Sequence, residues 1–195
     1  MTGGYLKGRI RREDIITAAG AAYGELGYHG SSLREIAKRV GISHAGLLYY
    51  FPTKEALLAA VLERRDAEDS EREQLTVPPG LDVLRHFVAL AEHNVRHPGI
   101  VDLYSRLAAE AVAPDHPAHD YFVRHYRAAR DGVHESFAVL AAHGELRDGV
   151  DPGMAALTFI ALMDGLQVQW LTAPDDVDLI GSLRFYLQNL LTVPL

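Results

Sequence analysis

Apolar residues recur at three- and four-residue spacing along almost the whole chain, and glycine or proline stands where each run ends. That pattern predicts an all-α protein with very little strand. Ile15, Ala19, Ala22, Tyr23 and Leu26 make the stripe of a first helix, which Gly27 closes in a left-handed turn. Ser31 or Ser32 caps a second helix over Leu33–Val40 and Gly41 ends it; Ser43 caps a short third helix reaching about Phe51. Pro52 and Thr53 open a fourth that continues past Leu62, and the polar, then proline-bearing run from Glu68 to Pro79 marks a boundary. Residues 81–97, 99–113, 117–143, 152–171 and 177–191 read as five more helices, about nine in all. The order predicts a three-helix head over residues 1–52, a connecting helix over 53–75 and a helical body over 76–195.

The eighth helix is apolar nearly all round, which a helix tolerates only when neighbours cover several faces. Two readings compete for it and for the last helix: completion of one chain's core, or association of two chains. On the second reading Phe159, Leu162 and Leu166, with Leu179, Ile180, Leu183 and Leu187, are the dimer residues. The longest apolar segment, near residues 154–163, is too short to span a bilayer, so no membrane partner is expected.

With 195 residues and 48% hydrophobic content the chain can bury a substantial core. Its net charge of −7 argues against a polyanionic partner until the charge is divided by position. Residues 1–65 carry 10 Lys and Arg against 6 Asp and Glu, a net +4, and the remainder carries 9 against 20, a net −11. A basic first third on an acidic body suits a modular binder of phosphates, since phosphate contacts need local cations while overall negative charge limits indiscriminate adhesion. The absence of cysteine removes disulfides, thiolate metal sites and cysteine nucleophiles, and a reducing cytoplasm is the expected location.

Residues 32–54, SLREIAKRVGISHAGLLYYFPTK, supply every part of a helix-turn-helix. Leu33, Ile36, Ala37 and Val40 form a buried face, Gly41 takes positive φ at the turn, Ile42 plugs the turn into the core and Ser43 caps the next helix. The second helix of the pair then exposes His44, Ala45, Gly46, Tyr49 and Tyr50. Small residues let backbone approach bases, His44 can exchange hydrogen bonds with a base edge or phosphate, and the tyrosines offer a hydroxyl to phosphate or a ring to a thymine methyl. Ser32 and Ser43 stand at helix N-termini, where backbone N–H groups favour phosphate. Arg34, Lys38, Arg39 and Lys54 are cations nearby, and Arg9, Arg11 and Arg12 can form an arm to the DNA backbone or minor groove.

The segment from Arg11 to Leu58, above all LREIAKRVGIS followed by FPTKEALL, closely resembles the tetracycline-repressor (TetR) family. HPGIVDLYSRLAAEAVAPDHPAH and the later GLQVQWL look like the effector domains of actinobacterial members. The resemblance implies a DNA-binding head, a connecting helix, and a body that binds a small molecule and dimerises through its last two helices. By position it implies Ser32, Arg34, Tyr49, Tyr50 and Lys54 near phosphate and His44, Ala45 and Gly46 at base edges, with Ser43 at the helix start. The activity it implies is that of a repressor binding a palindromic operator in double-stranded DNA as a homodimer, released by a small-molecule effector and using no other cofactor. Two departures stand out: Leu47-Leu48 where the family often has Leu-Tyr, and Tyr50 where it often has a histidine before the phenylalanine.

A small-molecule site mixes apolar bulk with a few polar atoms. Phe87, Leu90, His93, Leu103, Tyr104, Leu107, Tyr121, Phe122, Tyr126, Met163, Gln167 and Trp170 have that character, with plain core packing as the competing reading of each. Asp164 and Gly165 interrupt an otherwise apolar helix, where a buried carboxylate needs a partner or a ligand. His93 and His97, and His116 and His119 beside Asp115 and Asp120, have the spacing of a two-histidine metal site without a third ligand, so no metal is expected. The chain has no G-x-S-x-G, H-E-x-x-H, phosphate-loop or dinucleotide glycine motif, and enzymatic activity is not expected. An architectural DNA-binding protein with a solid body is the competing class, and activation in place of repression stays open.

Overall fold

The computed structural model describes the backbone of residues 2–72 and 77–195 and the side chains of residues 11–64 and 77–195. Among the described residues the elements are nine helices: α1 Thr2–Gly30, α2 Leu33–Val40, α3 His44–Tyr50, α4 Lys54–Arg72, α5 Leu81–Val95, α6 Pro98–Glu110, α7 His119–Ala142, α8 Pro152–Thr172 and α9 Leu179–Leu190. The all-α reading therefore holds, with one isolated bridge between Leu146 and Leu191. The chain divides into two compact units, Met1–Gln74 with Asp102–Asp120, and Leu75–Val101 with Tyr121–Leu195.

In the first unit α1 packs on α2 and α4, and α2 on α3. Ile15, Ala19, Ala22 and Tyr23 are fully buried, joined by Ile36, Ala37, Leu47, Leu57 and Leu58 from the next three helices. Leu26 departs from the expected stripe and is 43% exposed, while Tyr28 is buried in its place. Gly27, expected to close the helix in a left-handed turn, instead lies inside α1 at φ 72° and ψ 174°, and this break reorients the turn that follows it, which carries Tyr28. Residues ahead of Ile15 are helix rather than an arm, because α1 starts at Thr2. Arg11 donates to the Val40 carbonyl at 3.4 Å, and the Arg12 guanidinium lies 5.1 Å from the centre of the Phe51 ring. The Arg9 side chain lies outside the described residues.

The second unit has one core. Leu84, Val88 and Ala91 of α5, Val133, Phe137 and Leu140 of α7, Phe159, Ile160 and Trp170 of α8, and Leu179, Leu183 and Leu187 of α9 all contribute to it. Asp151 caps α8 by accepting from the Met154 N–H at 2.7 Å, and Asp178 caps α9 by accepting from Gly181 at 2.8 Å. The apolar helix is longer than the segment near residues 154–163 that the sequence pattern singles out. At 21 residues α8 is long and apolar enough to cross a membrane by length and composition alone. Ala155, Ala156, Phe159, Ile160, Leu166 and Trp170 are buried against the chain's own helices.

Candidate nucleic-acid interface

Two serines set the geometry of the head. Ser32 Oγ accepts from the Glu35 N–H at 3.2 Å and Ser43 Oγ from the Gly46 N–H at 3.0 Å, so each closes a helix start and keeps its own O–H free to donate outward. Between them Gly41 sits at φ 70°, ψ 36°, its N–H returning to the Lys38 carbonyl at 3.1 Å and that of Ile42 to Ala37 at 3.0 Å. Leu47 and Phe51 are buried and anchor α3 from behind. A Cβ at Gly46 would meet Ser43 Oγ at 3.2 Å, a tight contact.

The outward edge of α3 carries the candidate contacts. Tyr49 is 83% exposed and meets the half-buried Tyr50 edge-on, with ring centres 5.2 Å apart. Ala45 is exposed and His44 and Gly46 are half-exposed, so small residues and one imidazole line an accessible strip of helix. Ser32, Arg34 and Ser43 are exposed beside it.

The cations sort into two kinds. Arg39 is bound to Glu25 at 2.8 Å and to Glu35 at 3.0 Å, and its hydrogen bond holds the Glu25 carboxyl below its ordinary range. Lys54, the first residue of α4, lies with Nζ 4.3 Å from the centre of the Tyr28 ring. Burial pulls its ammonium pKa down, against the opposing attraction of Glu110 and Glu55. Tyr28, Glu55 and Glu110, which surround it, escape the sequence reading, and His116, which packs on Tyr28, enters that reading only as one of a histidine pair. Tyr28 and Glu110 are 82 positions apart, and no periodic pattern links them.

The residues proposed for a small-molecule site fall in both units. Leu103, Tyr104 and Leu107 belong to the first, where Leu107 is fully buried. The others belong to the second. Phe122 is buried with Tyr121 and Tyr126 at 5.1 and 6.1 Å, and Trp170 is buried. Phe87 packs edge-on to Phe159 at 5.7 Å, and Leu90, His93, Met163 and Gln167 are half-buried. Asp164 has its partner in Tyr126, and burial pushes its carboxyl above the ordinary range. The rings of His93 and His97 stack at 4.1 Å, His116 Nδ1 accepts from the Ala118 N–H, and His119 Nδ1 faces the Ala111 carbonyl. Among the described residues no group of three or more ligating side chains is placed to hold a metal.

Of the residues expected at a dimer interface, Phe159, Leu166, Leu179, Leu183 and Leu187 are buried in their own chain's core. Leu162 and Ile180 are half-buried against it. The large apolar side chains that α8 and α9 do expose are Met154, Leu157, Val168 and Phe185.

Comparison with known proteins agrees with this arrangement. Residues 15–61 match the profile of bacterial regulatory proteins of the tetR family, and residues 84–192 that of the BetI-type transcriptional repressor C-terminal region. The regulator RutR of Escherichia coli K12 is 44% identical over 54 residues, a stretch that spans 28% of this chain and 26% of RutR. The repressor AcnR of Corynebacterium diphtheriae is 28% identical over 171 residues, covering 87% of this chain and 85% of AcnR. A transcriptional regulator from Saccharomonospora viridis, solved in complex with choline, superposes with a TM-score of 0.69 at 23% identity, covering 93% of this chain and 98% of that one.

Proposed function

The chain belongs to the tetR family of bacterial transcriptional regulators, and on that premise we propose that it is a cytoplasmic repressor that binds a palindromic operator as a homodimer and is released by a small molecule. The observation that carries the DNA-binding part is the accessible edge of α3, His44 to Gly46 with Tyr49, backed by buried Leu47 and Phe51 and flanked by two capping serines. In this reading His44, Ala45 and Gly46 face base edges, while Ser32, Arg34, Tyr49, Tyr50 and Lys54 hold phosphates. The functional division is a head over 1–52, a connecting helix over 53–75 and a body over 76–195. Two recognition helices would enter successive major grooves about 34 to 36 Å apart.

The dimer is proposed through Met154, Leu157 and Val168 of α8 and Phe185 of α9, which leave apolar surface uncovered in one chain. Repression finds support in the likeness to AcnR, and an effector in the choline complex of the S. viridis regulator. Within the second unit, the Tyr126–Asp164 pair among aromatic rings offers the polar anchor such a molecule needs. An effector releases DNA only by favouring a conformation with lower DNA affinity.

The test is a mobility-shift titration on the intergenic DNA upstream of the protein's own gene, with random competitor. A specific shift is expected. Arg34→Ala should weaken binding to all sequences and lower the salt slope by about 1, whereas His44→Ala should chiefly change sequence preference. Loss of even nonspecific binding at low salt would end the repressor reading.

A further inference from the structure

The lysine at the start of α4 is already engaged before any DNA arrives. Its ammonium lies over the Tyr28 ring, whose hydroxyl donates to Glu55 Oε1 at 2.9 Å and whose backbone N–H donates to Glu110 Oε2 at 2.8 Å. One tyrosine thus gathers two carboxylates around one cation. Gly27 makes the arrangement possible in two ways. Its break in α1 turns the Tyr28 N–H toward Glu110, and the Glu110 carboxylate fills the space a Cβ at position 27 would need.

His116 closes the other side without adding charge. Its side chain is fully buried, with its ring centre 5.0 Å from that of Tyr28. Because Nδ1 accepts from the Ala118 N–H at 3.1 Å, the neutral ring carries its proton on Nε2, 3.6 Å from Glu110 Oε2. Burial holds this imidazole below its ordinary pKa. The ring therefore places no second cation beside Glu110, whose charge acts on Lys54.

We propose that Glu110 is an internal counter-ion that competes with DNA phosphate for Lys54, so that the end of α6 sets the affinity of the head for DNA by charge. The inference rests on the reading of Lys54 as a phosphate contact. A phosphate can take the ammonium only as it leaves the grouping of Tyr28, Glu55 and Glu110, so the contact yields the difference between two attractions rather than the whole of one. Glu110 is the last residue of α6, a helix that begins in the second unit and ends in the first. A shift of that helix would strengthen or relax the hold on Lys54 without any change in the recognition edge of α3.

A fluorescein-labelled random-sequence duplex, titrated by anisotropy at several salt concentrations, tests this with wild type, Glu110→Gln, Lys54→Met and the double variant. Glutamine keeps an acceptor for the Tyr28 N–H and removes only the charge. Glu110→Gln should bind about three- to tenfold tighter at low salt with a steeper salt slope, and the double variant should match Lys54→Met. Equal tightening in both backgrounds would mean a general charge effect and overturn the proposal, as would no tightening in the wild-type background. Unchanged binding by Lys54→Met would instead remove the phosphate contact itself, and the competition with it. Should Glu110→Gln fail to fold by circular dichroism, Glu110→Ala, which leaves the Tyr28 N–H to water, carries the same test, with the same expected dependence on Lys54.

Discussion

His116 and Asp164 are both held toward their neutral forms by burial, yet they respond to pH with opposite sign. The imidazole's folded pKa lies below its ordinary 6.5, so the unfolded chain takes up a proton first as pH falls. Stability is complete above that value and declines below it, by at most about 1.4 kcal/mol per pH unit for one proton. His116→Asn, whose amide oxygen can accept from the Ala118 N–H in place of Nδ1, should flatten the acid limb of a urea-denaturation profile; an unchanged limb would place the loss elsewhere. Asp164 lies on the other side of its reference, raised above 3.8, so its contribution is complete below that value and lost as pH rises through the folded pKa. Asp164→Asn keeps a partner for Tyr126 and drops the desolvated charge. It should raise the melting temperature by a few degrees at neutral pH, with the gain shrinking toward pH 4.

The decisive local feature among the elements is the turn from α2 to α3. Gly41 is exposed and has open space where a Cβ would go, so sterics with neighbours do not demand glycine there; its φ of 70° does. Gly41→Ala should cost on the order of 1 kcal/mol of unfolding free energy through backbone strain alone. Because Leu47 and Phe51 still anchor α3, DNA binding by the folded fraction should persist. Chemical denaturation measures the first effect, and a shift in midpoint below the error of the method would show that the turn relaxes without strain.

For the whole molecule, the exposed apolar side chains of α8 and α9 are features that one chain does not satisfy. Val168 at 53% and Phe185 at 72% exposure are costly to leave in water, and burial of such residues stabilises by roughly 1.5 to 3 kcal/mol each. Leu157→Glu with Phe185→Glu should therefore shift the protein to monomer in sedimentation velocity while leaving its helical circular dichroism intact. Operator affinity should fall steeply, because one head then binds without its partner. A dimer that survives both changes would move the interface to another face.

How much of this was legible in the chain differs by scale, for one physical reason. Secondary structure and the helix-turn-helix are local: cap, turn and apolar stripe lie within four residues of one another, so Gly41 and Ser43 can be read from spacing alone, and the cap of α2 to within Ser31 or Ser32. Only the folded chain decides which side of an apolar helix faces inward when apolar residues surround it. Phe159, Leu183 and Leu187 thus became core, and Met154, Leu157, Val168 and Phe185 surface. The setting of Lys54 was likewise beyond local reading, since Tyr28 meets Glu110 across 82 positions and His116 reaches the pair from the turn after α6. The sequence by itself determined the helices and the recognition edge, through short-range geometry. The tertiary structure alone decided what shares a cation's charge and which apolar faces remain uncovered, because those depend on contacts between residues that the chain keeps far apart.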